Sequence, residues 1–201
     1  MKDERKIYTI GHSTRELSEF IHLLQLYGVE SVVDVRSQPY SRLEHFRRDN
    51  LKAQLKSAGI DYVFLGRELG ARREEPECYV GSRVSYGRVA QLPAFQAGLE
   101  RLERAAAKRA VALMCAEREP LDCHRTILVA RQLAARGWRV LHILADGSLE
   151  SHADTEKRMI DAMGVDPLFD CGLSSDELKE RAYEERGQEI AFRAGKEELL
   201  K

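Results

Sequence analysis

The sequence predicts a three-layer α/β domain, in which a mainly parallel, five-stranded sheet is flanked by helices. Three observations predict it. Short apolar and β-branched runs alternate with segments of helical periodicity, the pattern of strands joined by helical crossovers. Glycines stand just past the helical segments, at Gly28, Gly59 and Gly137, where a helix ends most easily. The length of 201 residues, with 43% hydrophobic residues, suits one domain with a full core and falls short of two.

The elements follow in order. Residues 7–10 (Ile-Tyr-Thr-Ile) form the first strand and stop at Gly11-His12-Ser13. A helix is expected over 16–27, with Phe20, Leu23, Leu24 and Tyr27 on one face. A second strand covers 31–35, a helix 51–57, and a third strand 61–65. Periodicity then lapses over 66–92, a stretch rich in Gly, Arg and Glu. So long a loop within a compact domain marks a candidate lid or substrate loop, or plain irregular surface. Helices over 93–108 and 124–136 bracket a fourth strand at 110–114, and the fifth strand is 139–144. Residues 155–201 read as charged helices. The division expected is a domain over 1–165 and a charged helical extension over 166–201, packed on that domain or trailing from it.

Composition narrows the function classes. Lys plus Arg (32) nearly balances Asp plus Glu (33), for a net charge of -1, so nucleic acid is a possible partner that the net charge does not support. No apolar run approaches the roughly 20 residues needed to cross a bilayer, and no membrane partner is expected. The charged start, Met1-Lys2-Asp3-Glu4-Arg5-Lys6, does not resemble a secretory leader. A soluble, cytoplasmic protein with reduced thiols is the expectation, and Cys78 and Cys171 are isolated in sequence.

Ligands of open parallel sheets bind beyond the carboxyl ends of the strands. Strand one delivers His12 and Ser13 there, and strand two delivers Asp34 and Arg36, followed by Ser41. Strand four delivers Cys115-Ala116-Glu117, and the next helix opens at Cys123-His124-Arg125. A thiol near a helix start is activated by backbone N–H groups and the helix dipole. The reading is therefore an enzyme with Cys115 as nucleophile, Cys123 as second thiol and His12 or His124 as proton shuttle. Ser13, Arg36 and Arg125 would bind a small anionic, phosphate- or nucleotide-like substrate, with Ser41 and Glu117 on the same rim. Asp34 is either a base, a ligand, or the partner that holds Arg36.

Two other readings share these residues. Cys115, Cys123, His124 and His12 form a four-ligand set for zinc or iron, although no tight C-x-x-C spacing accompanies them. No cofactor is firmly implied. A non-catalytic module gripping phosphate or nucleic acid would use the basic stretches 42–48 and 67–73 as a track. Of the remaining histidines, His22 and His142 read as structural, His45 lies in the basic stretch, and His152 has no context.

Three segments carry a resemblance: Thr9-Ile10-Gly11-His12-Ser13, the run from Asp34-Val35-Arg36 to Pro39-Tyr40-Ser41, and Met114-Cys115-Ala116-Glu117 with Cys123-His124-Arg125. In this order they resemble the family called domain of unknown function 488, over roughly 7–144. The resemblance implies a fold and a site, with no established activity. Val33-Asp34-Val35-Arg36 also looks like the D-V-R segment of rhodanese sulfurtransferases, with Cys115 and Arg125-Thr126 as counterparts of their active-site segment. The loop here is longer and more charged, and lacks their compact glycine-containing cradle.

Overall fold

The computed structural model describes residues 5–164 and 172–195. In chain order the elements are β1 (Lys6–Gly11), α1 (Leu17–Leu26), β2 (Ser31–Asp34), α2 (Arg48–Ser57), β3 (Asp61–Phe64) and α3 (Gly66–Leu69). A hairpin of β4 (Tyr79–Val80) and β5 (Arg83–Val84) leads to α4 (Tyr86–Val89), α5 (Pro93–Ala106) and β6 (Val111–Cys115). A π-helical turn (Arg125–Ala130) continues as α6 (Arg131–Ala135). The chain then forms β7 (Arg139–Ile143), β8 (Leu149–Ser151), α7 (His152–Ala162) and α8 (Ser175–Ile190).

The main sheet has the order β3-β2-β6-β1-β7-β8. Its first five strands are parallel and are the five the sequence predicts; β8 adds an antiparallel sixth at the edge. That strand is only three residues long and half exposed, so it shows no alternating apolar pattern.

Alternation along the strands builds two cores. Val33, Val111, Leu113 and Val140 face Phe95, Leu99 and Leu102 of α5 and Leu133 of α6. Val32, Ala112, Met114 and Ile143 face Phe20 and Leu24 of α1 and Leu51 and Leu55 of α2. The sheet therefore lies between helical layers, and Cys115 belongs to the α5–α6 face.

The structure corrects the reading of 66–92 as an unstructured loop. Two short helices and the hairpin fill it, with Leu69, Cys78, Val84 and Val89 buried in the core. Arg73 ties the segment together by donating to Glu75 and to the carbonyls of Arg67 and Glu68. Elements of two to four residues are too short to show a period.

Helix α7 begins at His152, with Ser151 accepting from the Asp154 amide. Helix α8 packs Ala182 and Tyr183 against Leu121, Ile127 and Met159. Beneath this contact runs a buried hydrogen-bond chain. Tyr183 donates to Glu156 (2.8 Å), His152 Nε2 donates to the Tyr183 hydroxyl (2.9 Å), and His142 Nε2 donates to His152 Nδ1 (3.0 Å). The Thr9 hydroxyl closes the chain by donating to His142 Nδ1 (2.7 Å). Burial, above all, lowers both imidazole pKa values, that of His152 to about 4. His142 and His152 are thus neutral parts of one network. Cys78 is a buried core residue, and Cys171 lies outside the described residues.

Candidate functional site

The strand ends are bound tightly to one another. The amides of His12 and Ser13 donate to the carbonyls of Cys115 and Ala116, each at 2.9 Å. This close approach requires glycine at position 11, where a Cβ would stand 1.9 Å from the Glu117 carbonyl oxygen. Ser13 then turns away with a positive φ of 46°.

Asp34 and Arg36 form a closed unit behind this rim. Asp34 accepts from Arg36 through both oxygens (2.9 and 2.6 Å) and from the Tyr62 hydroxyl (2.7 Å). Arg36 Nη1 donates further to the Phe46 carbonyl (3.0 Å) and to His12 Nε2 (3.2 Å). His12 Nδ1 in turn donates to the Ser13 carbonyl (2.9 Å), and the ring stacks on Phe46. Burial first, and then the Arg36 charge, lower the His12 pKa to about 4. Its neutral ring holds Arg36 in place.

At the end of β6 four donor atoms converge. Glu117 Oε2 lies 3.0 Å from Cys115 Sγ and 2.9 Å from Cys123 Sγ. His124 Nδ1 lies 3.7 and 3.9 Å from the same two sulfurs, while its Nε2 donates to the Val35 carbonyl at 3.0 Å. The π-helical turn starts directly after His124, and the Arg125 amide donates to Cys123 Sγ at 3.4 Å. The Arg125 side chain is wholly buried and donates to the Glu117 and Arg118 carbonyls, which fixes the loop that carries Glu117.

This geometry separates the two thiols. Burial opposes ionisation of Cys123. The hydrogen bond with Cys115 and the charges of Arg125 and His124 outweigh it, and the pKa falls well below the ordinary thiol value. Burial pushes Cys115 well above that value, reinforced by Cys123 and Glu117. Desolvation of the carboxyl, then the Cys123 sulfur, raise Glu117, and contact with that sulfur raises His124 against its burial. The sulfur favoured as thiolate is Cys123, where the sequence placed the emphasis on Cys115.

Three members of the cluster line an open cleft of about 360 Å³, and Cys123, 1% exposed, is not among its lining residues. Cys115, Glu117 and His124 line it, together with Arg36, Ser37, Gln38, Tyr40, Arg72, Tyr86, Asp122 and Phe192. Arg72 is exposed and lies over the Phe192 ring, and no carboxylate pairs with it among the described residues. Tyr86 lines the same cleft, and burial, then Cys123, Glu117 and Cys115, push the pKa of its phenol upward.

A family model, Domain of unknown function DUF488, matches residues 16–132, more than half of the chain. The chain belongs to the DUF488 family. No curated protein and no solved structure matches it. The DUF488 match includes Asp34, Arg36, Cys115, Glu117 and the Cys123-His124-Arg125 triplet; it begins after Gly11-His12-Ser13. Nothing in the matches bears on the rhodanese likeness.

Within this DUF488 site the sequence-derived residues divide. Cys115, Cys123, Glu117 and His124 come together. His12 does not join them, and Arg36 lines the cleft with its guanidinium already committed to Asp34, Phe46 and His12. Ser13, Asp34, Ser41 and Arg125 do not line the cleft. Asp34 and Arg125 are fully buried, and the Ser41 hydroxyl accepts from the Leu43 amide. Arg72 comes from the basic stretch 67–73 and Tyr86 from the same aperiodic segment, whose lack of period hides Tyr86 in the sequence. The one local sign was Ser85, which caps α4.

Proposed function

We propose that this DUF488 protein is a cysteine-dependent enzyme acting on a small anionic substrate. One observation carries the reading: two thiols, an imidazole and a carboxyl lie within 4.8 Å of one another, and three of them line an open cleft that the exposed cation of Arg72 also lines. Polar groups with perturbed ionisation in a concave site are what acid–base and transfer chemistry require. Cys123 and His124 supply the thiolate and its proton-bearing partner, with Glu117 in contact with the Cys123 sulfur and Tyr86 on the wall of the same cleft. Arg72 attracts the anion, and Arg36, locked by Asp34, is a positioning element of the wall.

Reporter substrates for three transfers test the proposal: p-nitrophenyl phosphate, p-nitrophenyl acetate, and thiosulfate with cyanide. The expected result is turnover of one of them, lost by about 100-fold or more in Cys123→Ala. In Arg72→Ala the rise in KM should exceed the fall in kcat. Binding of inorganic phosphate in the cleft that is unaffected by Cys123→Ala, with no turnover of any reporter, would instead identify an anion-binding module.

A further inference from the structure

We infer that Cys115, Glu117, Cys123 and His124 form a binding site for one divalent transition-metal ion, zinc or ferrous iron. The inference rests on the reading that this cluster is the reactive centre, and it names that centre's cofactor class.

Geometry comes first. The four donor atoms lie within 4.8 Å of one another. Tetrahedral zinc, with bonds of about 2.0–2.3 Å, sets its ligands roughly 3.3–3.8 Å apart. The two sulfur–nitrogen separations, 3.7 and 3.9 Å, match that spacing. The two sulfur–oxygen separations, 3.0 and 2.9 Å, are hydrogen-bond lengths. They open by about half an ångström when the ion replaces the shared protons.

His124 is oriented for the task. Its Nε2–H is spent on the Val35 carbonyl, which turns Nδ1 toward the sulfurs; metal-binding histidines are commonly fixed through the other ring nitrogen in this way. His12, the fourth ligand considered from sequence, is excluded because its Nε2 accepts from Arg36 and its Nδ1 faces the Ser13 carbonyl.

Charge and chemistry agree. Two thiolates and a carboxylate around a dication leave one net negative charge. Directly behind them lies the buried Arg125 guanidinium, which bonds only to carbonyls and whose Nε is without a partner among the described residues. The Cys123 thiolate takes the ion directly, and binding displaces the protons held by Cys115, by Glu117 and by His124 Nδ1 into solvent, so the charges balance without a redox step. Two soft sulfur ligands select zinc or iron over magnesium or calcium. Glu117, the one exposed residue of the four, is the ligand an incoming anion displaces.

The test titrates the full chain, stripped with chelator, with Co(II), followed by competition with Zn(II). The expected result is thiolate-to-cobalt charge-transfer absorption and tetrahedral d–d bands saturating at one ion per chain. The bands should disappear on addition of Zn(II). Cys115→Ser, Cys123→Ser and His124→Gln should each weaken binding by about 100-fold or more, beyond the roughly 10–100-fold carried by outer hydrogen-bond partners. A Cys78→Ser/Cys171→Ser variant should keep the full signal. If the ligand variants do not fold, thiol counting on the wild type replaces them, and Zn(II) should protect two thiols from a thiol reagent. Absence of the charge-transfer bands, bands retained in both cluster cysteine variants, or no protected thiols would overturn the inference. Reporter turnover by chelator-stripped protein separates the two claims. Turnover without metal binding sinks the metal site alone; absence of both sinks the catalytic reading too.

Discussion

Two buried polar clusters occupy this molecule, and they handle their hydrogen-bonding capacity in opposite ways. In the chain from Thr9 through His142, His152 and Tyr183 to Glu156, each link is a bond of 2.7–3.0 Å and every donor meets an acceptor. It joins the sheet to α7 and α8 with both imidazoles buried, and Tyr183 at its far end borders a separate cleft. In the cluster of Cys115, Glu117, Cys123 and His124, acidic groups face one another, the imidazole sits 3.7 and 3.9 Å from the sulfurs, and three of the four residues line a cleft. A network that satisfies itself holds the fold together, whereas one that crowds like groups toward an opening awaits an outside partner.

The comparison breaks if stability and activity do not separate between the two clusters. The largest effect is expected from His152→Ala, which leaves a cavity and two buried partners without hydrogen bonds. It should cost roughly 3–5 kcal/mol in denaturant unfolding and leave metal binding by the folded protein intact. Next is pH. His152 has a pKa of about 4 in the fold against 6.5 as a free side chain, so the unfolded chain takes up the proton first as pH falls. Its contribution is fully present above pH 6.5 and drains away between 6.5 and about 4. The loss is roughly 3 kcal/mol, read from denaturation curves at pH 8 and pH 4. Cys123→Ala is the converse case: reporter turnover falls about 100-fold, about 2.7 kcal/mol of transition-state energy, with little change in unfolding midpoint. The smallest effect belongs to Tyr183→Phe, which removes one link of the buried chain and should cost about 1–2 kcal/mol with turnover unchanged.

Much of this arrangement was legible in the sequence. The strand ends carrying Asp34 and Cys115, and the helix start at Cys123-His124, were visible because apolar runs stop abruptly at polar residues, and the parallel-sheet rule gathers such ends on one rim. What escaped depends on contacts between distant segments. His152 has no local pattern and acquires its role only when His142 and Tyr183 arrive from β7 and α8. The sequence places Glu117 on the rim, where the structure finds it, but does not show its oxygen turning back onto two sulfurs. Arg125 looked like part of an anion clamp, yet the turn it begins directs its guanidinium into the protein, onto the carbonyls of the loop it supports.

The most direct measurement is a pH titration of thiolate absorbance in chelator-stripped protein, taken as the difference between wild type and Cys123→Ser. The account predicts a Cys123 midpoint well below the ordinary value of about 8.5, moving upward in His124→Gln. A midpoint at or above that value, unmoved by His124→Gln, would contradict the claim that these residues form one working centre.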